Sequence, residues 1–269
     1  MAMPRSITSI TALAIFAAGI TAAASGQQHR DVQVINENGR LVTGIIDYDA
    51  PGNPITPNIR LFTAAFGEAP NGTDDPGFNA SASTFPQGTL IAFDIVDALR
   101  KWDGTDFDSI PSERLFIGLG ASNRQTPTTA GSLVSGFNIV QAGGGGGFHQ
   151  HINYFLLTPA SSGVYLLTLQ LRSAGYTTSA PFYVVFGQGA AQADRDAASA
   201  YVRDVLLAPP VCLGDANADR VVNFTDITTV LSNFGSTGAA GLPGDADRSG
   251  AVNFTDITTV LSNFGNQCP

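Results

Sequence analysis

Two acidic loops in the last quarter of the chain carry the residues whose types and spacing point most directly to chemistry. Counting from Asp215, oxygen-bearing side chains stand at positions 1, 3, 5, 9 and 12: Asp215, Asn217, Asp219, Asn223 and Asp226, with the Val221 carbonyl at position 7. Counting from Asp245, the same places hold Asp245, Asp247, Ser249, Asn253 and Asp256, with the Ala251 carbonyl at 7. Alternate residues of a tight loop turn inward, so this spacing builds an oxygen cage suited to a hard divalent cation, two Ca²⁺ ions in all. Gly250 occupies position 6 of the second loop, where the chain must bend sharply. Arg220 stands there in the first loop, and a positive φ at a non-glycine residue costs stability, so the first site is expected to be the weaker.

The elements that must position these ligands are duplicated too. Asn223 to Gly235 and Asn253 to Gly265 both read NFTDITTVLSNFG. Ile227, Val230, Leu231 and Phe234 fall at i, i+3, i+4 and i+7, and Ile257, Val260, Leu261 and Phe264 repeat the stripe. Each loop is therefore expected to lead, at its twelfth position, into a short helix stopped by Gly235 or Gly265. Neither helix buries its stripe alone, so the two should pack together about a rough twofold axis. Cys212 and Cys268, the only cysteines, bracket the repeat; in an oxidising compartment they invite a disulfide, and the alternative is two thiols.

On these residues, 212–269 resembles a dockerin, the paired loop–helix calcium module that plugs into cohesin domains. Asp at position 12 and Asn at 9 agree with that family, and Cys212 with Cys268-Pro269 resembles a cysteine-bracketed variety that anchors exported bacterial proteins. The resemblance implies calcium-dependent folding and attachment to a cohesin-like or cell-surface scaffold partner. Phe224, Thr225, Phe254 and Thr255 are the candidate partner contacts, and the identical halves would let a partner bind in either of two orientations. The competing expectation is calcium that stabilises the tail without any docking.

The chain has three histidines, His29, His149 and His151. On a strand, His149 and His151 would share a face, an arrangement suited to a transition-metal ion held by neutral imidazoles; two half-exposed strand histidines is the plainer outcome. Their surroundings, with Tyr154, Phe155, Gly163, Tyr165, Leu167 and Leu169 following, resemble surface-anchored bacterial proteins of the choice-of-anchor M type. So does the opening His29-Arg30-Asp31-Val32 ahead of Asn38-Gly39. This resemblance implies a Zn²⁺ site from His29, His149 and His151, with water or an unidentified carboxylate as a fourth ligand.

The rest of the chain is scaffold. Residues 1–26 combine Arg5, an apolar run from Ile7 to Ile20 and small residues up to Gly26, the pattern of a secretory signal peptide. Residues 27–187 alternate short Val-, Ile-, Leu-, Phe- and Tyr-rich runs with Gly, Pro, Asn, Asp and Ser clusters, which predicts a mainly β fold of the β-sandwich or jelly-roll kind. The expected strands are Leu41–Asp47, Ile59–Phe66, Leu90–Val96, Leu115–Leu119, His151–Leu157, Val164–Leu171 and Phe182–Phe186, with a short helix over Ile95–Trp102. The five glycines Gly143–Gly147 read as a flexible hairpin loop. Residues 188–211 read as an exposed helix, packed on the sheet edge through Tyr201, Val205 and alanines, followed by a Pro209-Pro210 linker into the small all-α tail. With 13 basic against 22 acidic residues and a net charge of −9, nucleic acid and anionic lipid are excluded as main partners. No nucleophile elbow, no HExxH motif and no facing carboxylate pair is visible, so the chain is expected not to be an enzyme. The alternative is a carbohydrate-binding or polysaccharide-hydrolysing component of a cohesin–dockerin assembly, a glycoside hydrolase at its extreme, with Trp102 and Phe107 stacking on sugar.

Overall fold

The computed structural model describes residues 30–208, 212–238 and 241–268. The signal-peptide reading over 1–26, His29 and the Pro209-Pro210 linker lie outside the described residues.

The strands in chain order are β1 (Arg30–Glu37), β2 (Arg40–Asp47), β3 (Ile55–Pro57), β4 (Leu61–Ala65), β5 (Gly72–Thr73), β6 (Phe78–Ala80), β7 (Leu90–Ile95) and β8 (Arg100–Lys101). Then come β9 (Leu115–Leu119), β10 (Ser122–Gln125), β11 (Val134–Gln141), β12 (Phe148–Gln150), β13 (Asn153–Leu156), β14 (Gly163–Arg172) and β15 (Phe182–Gln188). They form three sheets, ordered β12-β6-β1-β2-β3, β10-β9-β13-β5 and β11-β7-β14-β15-β4, with β8 added against β14. The fold is mainly β, as the alternating apolar pattern requires. β1 and β2 form a hairpin closed by Asn38 and Gly39, both at positive φ (52° and 87°), the left-handed pair that lets a two-residue turn follow the strand twist. Each of the seven expected runs falls on a strand. The eight unforeseen strands include β3, β5, β6, β8 and β12, pieces of two or three residues too short to show a period.

Inward-facing side chains of all three sheets meet in one core, including Val32, Val34 and Leu41, Leu115, Ile117 and Tyr154, and Phe93, Leu167, Leu169 and Phe186. Fully burying one such side chain is worth about 1.5–3 kcal/mol. β14 is buried along nearly its whole length because both of its faces are covered. Tyr165, Leu167, Leu169 and Leu171 face the main core. Val164 and Leu166 join Phe107 and Val185 beneath helix α1 (Gln192–Tyr201), which contributes Ala198, and the following π-helical turn Val202–Leu206, which contributes Val202. The expectation that Val205 would pack there is corrected: it is exposed, because the wider π turn puts Val202 on the sheet instead. Ile95–Trp102 is likewise not a helix. β7 ends at Ile95, and Arg100 and Lys101 pair with Leu166 and Tyr165, so the β14 ladder captures the segment.

The glycine run is packed rather than a free hairpin. Ser83 and Phe85 donate their amides to the Gly145 and Gly146 carbonyls at 2.7 and 3.0 Å. A Cβ on Gly147 would lie 2.6 Å from the Ala80 carbonyl oxygen, and one on Gly146 would strike that of Phe85. Among the described residues no helix is long and apolar enough to cross a membrane.

The tail holds two further helices, α2 (Phe224–Ser232) and α3 (Phe254–Ser262). Both open two residues earlier than expected, because Asn223 and Asn253 act as N-caps in full capping boxes with Asp226 and Asp256. The predicted apolar stripe is buried only in part. Val230 and Val260 are fully buried and Ile227 and Ile257 partly so, whereas Leu231, Phe234, Leu261 and Phe264 are exposed. Each nine-residue helix is too short to bury the whole stripe against the other, and Phe234 and Phe264 meet only the exposed Phe254 and Phe224 of the opposite repeat. The halves exchange equivalent bonds: Gly214 N to Ala246 O and Gly244 N to Ala216 O, each 3.0 Å, and Gly235 N to Val252 O and Gly265 N to Val222 O, each 2.8 Å. That reciprocity is the expected twofold relation. Cys212 and Cys268 are disulfide-bonded across it.

Candidate metal centres

In the second tail loop, Asp245, Asp247 and Asp256 each bring a carboxylate oxygen to within 4.8 Å of the others. Asp256 is fully buried and does two jobs: Oδ2 accepts from the Asn253 amide at 2.7 Å, closing the capping box, and Oδ1 accepts from the Asp247 amide at 3.0 Å. Asp245 is 3% exposed, and its Oδ2 accepts from the amides of Gly241 (2.7 Å) and Gly250 (3.0 Å). Its Oδ1 is buried with no hydrogen-bond partner among the described residues. A buried carboxylate oxygen without a donor costs free energy unless a cation takes it, so this donor set fits Ca²⁺. Ser249 and the Ala251 carbonyl lie against each other at 3.2 Å, and Asn253 Nδ2 donates to the same carbonyl at 3.1 Å.

The first loop has the same framework. Asp226 is fully buried; its Oδ1 accepts from the Ala216 and Asn217 amides (2.9 and 3.2 Å) and its Oδ2 from that of Asn223 (2.8 Å). Asp215 accepts from the amides of Asp219 and Arg220 at 3.1 and 3.0 Å. Asn217 Nδ2 donates to Asp219 Oδ2 at 2.9 Å, and Asn223 Nδ2 to the Val221 carbonyl at 3.1 Å. Arg220 sits at φ 70° where Gly250 sits at 83°, the strained position expected from the sequence.

The proposed contact residues stand beside the loops. Phe224 and Phe254 are 73% and 74% exposed. Each meets the exposed phenylalanine of the opposite repeat edge-on, Phe224 with Phe264 and Phe254 with Phe234, both at 5.0 Å. Thr225 donates its hydroxyl to Asn223 Oδ1 at 2.7 Å, and the Thr255 amide donates to Asn253 Oδ1 at 2.8 Å.

A third cluster lies in the β domain. β6 runs parallel beside β1 and antiparallel beside β12, so His149, paired with Asn79, comes to the end of β1. His151 follows β12 in the break before β13 rather than sharing a strand with His149, yet the two rings still converge. Their Nε2 atoms are 3.0 Å apart. Asp31 Oδ2 lies 3.4 Å from His149 Nε2 and 3.6 Å from His151 Nε2. The Asp31 side chain is fully buried, and its Oδ1 accepts from the Gly77 amide at 2.8 Å. Gly77 is required by close approach: a Cβ there would lie 3.0 Å from both Asp31 oxygens and from His151 Cε1.

The outer ring nitrogens are also held. His149 Nδ1 is 2.8 Å from Tyr48 Oη, and Tyr48 donates to Asn79 Oδ1 at 3.2 Å. Asn79 Nδ2 donates in turn to Gln33 Oε1 (2.5 Å), and Gln33 Nε2 to Ser81 Oγ (3.1 Å). His151 Nδ1 is 3.0 Å from the Asp74 carbonyl oxygen, with the Asp75 and Asp74 carboxylates at 3.6 and 3.7 Å. Glu68 orders that loop by accepting from Thr73 Oγ1 and the Asp74 amide (2.6 and 2.9 Å). Burial would raise the Glu68 carboxyl, but these bonds and His151 outweigh it and hold it below the usual value. Burial first, then the negative charge of Asp31, pushes the Tyr48 and Tyr154 phenols up.

Asp31 lies within the His29-Arg30-Asp31-Val32 string but has no role in the ligand set that the resemblance implies. Its signal in the sequence is a carboxylate alternating with Val32 and Val34 on a strand whose polar positions should face solvent. The acid-rich Asp103–Asp108 segment is a turn, with Asp103 accepting from Thr105 and Asp106 amides at 2.7 and 3.0 Å. Trp102 packs against Phe107 (5.1 Å) and Tyr201 (5.5 Å).

No protein-family model matches this chain, and no curated protein or solved structure matches it either.

Proposed function

We propose that the chain is an exported, non-catalytic display protein. In this reading a dockerin-like tail folds around two calcium ions and attaches to a cohesin-like surface or scaffold protein, and a β-sandwich is thereby held outside the cell. The observation that carries it is the buried Asp245 Oδ1, which has no hydrogen-bond partner among the described residues, on a side chain whose carboxylate lies within 4.8 Å of those of Asp247 and Asp256. Such a loop is incomplete without a cation. Docking is supported by Phe224 and Phe254, solvent-facing aromatics at equivalent places in the two repeats. Aromatic side chains of this kind dominate the energetics of protein interfaces. The glycan alternative has no comparable support, since Trp102, Phe107 and Tyr201 pack on one another rather than forming an open platform.

The test is binding of the full chain to a panel of immobilised cohesin domains. Binding in calcium, its loss in chelator and its loss in the Phe224→Ser, Phe254→Ser double variant are expected. No retention by any cohesin at saturating calcium, or retention indifferent to the double variant, would overturn the docking role.

A further inference from the structure

We propose that Asp31, His149 and His151 form a transition-metal capture site of the Zn²⁺ class, with three protein donors among the described residues. It rests on the display reading only for its purpose; the ion chemistry stands apart from the tail. The donor atoms form a triangle with edges of 3.0, 3.4 and 3.6 Å. Ligands at zinc bond lengths in a tetrahedron stand roughly 3.3 Å apart, so the triangle has the size of one face of that polyhedron.

The outer hydrogen bonds fix which nitrogens face inward. The Asp74 carbonyl only accepts, so His151 carries its proton on Nδ1. Tyr48 donates its hydroxyl to Asn79 Oδ1, which leaves its oxygen to accept from His149 Nδ1. Both Nε2 atoms therefore direct lone pairs at the point that Asp31 Oδ2 also faces. A cation at that point would meet all three donors. Hydrogen-bonded outer ring nitrogens and a buried carboxylate held by the Gly77 amide are the outer support that metal-binding histidines and carboxylates use.

The donor set selects the ion. Two imidazoles and one carboxylate favour zinc and its neighbours over calcium, which prefers six or more oxygens. The His149 side chain is 42% exposed and that of His151 25%. Among the described residues the site is therefore open to solvent on the histidine side, which leaves room for a further ligand on the ion. Asp74 and Asp75 beside His151 add negative charge that draws a cation in.

The experiment uses the full chain with the tail saturated in calcium, titrated with Co²⁺ and followed by its visible ligand-field absorption. One equivalent of tetrahedral or five-coordinate Co²⁺, displaced by Zn²⁺ and undisturbed by excess Ca²⁺, is expected. Asp31→Asn, which keeps the acceptor for Gly77, should weaken Co²⁺ more than about tenfold, comparable at least with the loss of an outer-shell partner. His149→Gln, at a half-exposed side chain, should remove the band while the metal-free chain still melts cooperatively as a folded protein. No band in the parent chain, or a band of equal affinity in both variants, would overturn the site. Calcium uptake by the same samples reports on the tail separately.

Discussion

Replacing Asp245 by asparagine should act with opposite sign in the two metal states. Without calcium, Asp245, Asp247 and Asp256 hold carboxylate oxygens within 4.8 Å of one another, two of them on buried residues. Two unit charges about 4.8 Å apart at an effective dielectric of about 20 repel by roughly 3.5 kcal/mol. Spreading each charge over two oxygens and solvent screening leave about 1–2 kcal/mol to be recovered. The introduced carboxamide would keep an oxygen for the Gly241 and Gly250 amides and turn an N–H₂ towards the other carboxylates. In chelator, Asp245→Asn should therefore be about 1–2 kcal/mol more stable than the parent. With calcium the sign reverses. At an ion concentration about 1,000 times the dissociation constant, binding contributes about 4.1 kcal/mol, and a hundredfold weaker site leaves about 1.4 kcal/mol. The variant should then lose about 2–3 kcal/mol of calcium-dependent stability. Thermal and urea denaturation of the full chain in chelator and in calcium measures both numbers. A variant less stable than the parent in chelator, or equally stabilised by calcium, would refute the reasoning.

Other outcomes follow from the same geometry. Glu113 accepts from the Ser161 amide and hydroxyl; burial alone would raise its carboxyl, but these bonds and the Lys101 charge bring it from 4.5 down to about 2. A depressed folded value means stability present above pH 4.5 and lost as pH falls through about 2. The full shift corresponds to about 3 kcal/mol, which solvent near the carboxyl screens to about 1–2 kcal/mol. Acid titration of the β domain's melting should show that loss in the parent chain and not in Glu113→Gln. Gly77→Ala should push Asp31 and His151 apart by a few tenths of an ångström and weaken Co²⁺ uptake severalfold, read by the same absorption titration. Replacing Cys212 and Cys268 by Ser opens a cross-link spanning 56 positions, which should cost the tail about 4 kcal/mol in the chain-entropy model and raise the calcium concentration needed to fold it. Circular dichroism at increasing calcium measures that shift.

Seven strands were legible because each carries an apolar run that the sheets then bury, as at Leu115–Leu119, where expectation and strand coincide; the eight-residue β1 and β11 were not among the expected runs. The parallel β1–β6 pair was not legible, since Val32 meets Phe78 across 46 residues and β6 has only three of its own. That pairing is also what carries His149 to Asp31, so the candidate metal centre was half readable: the histidines from their spacing, the carboxylate only from topology. The tail's candidate ligands were placed by counting, and of them Asp245, Asp247 and Asp256 bring their carboxylates within 4.8 Å of one another. Its helices could not be fully read, since Leu231, Phe234, Leu261 and Phe264 share a stripe with Val230 and Val260 but stay exposed. Val205 misleads because a regular helical period of 3.6 places it on the sheet, whereas the chain widens there into a π turn.

Calorimetric titration of Ca²⁺ into the chelator-treated full chain tests the central claim most directly. Two bound ions per chain, the tighter assigned by Asp245→Asn to the second loop, accompanied by a gain of helical signal, is the predicted result. Absence of binding heat together with an unchanged spectrum would contradict it.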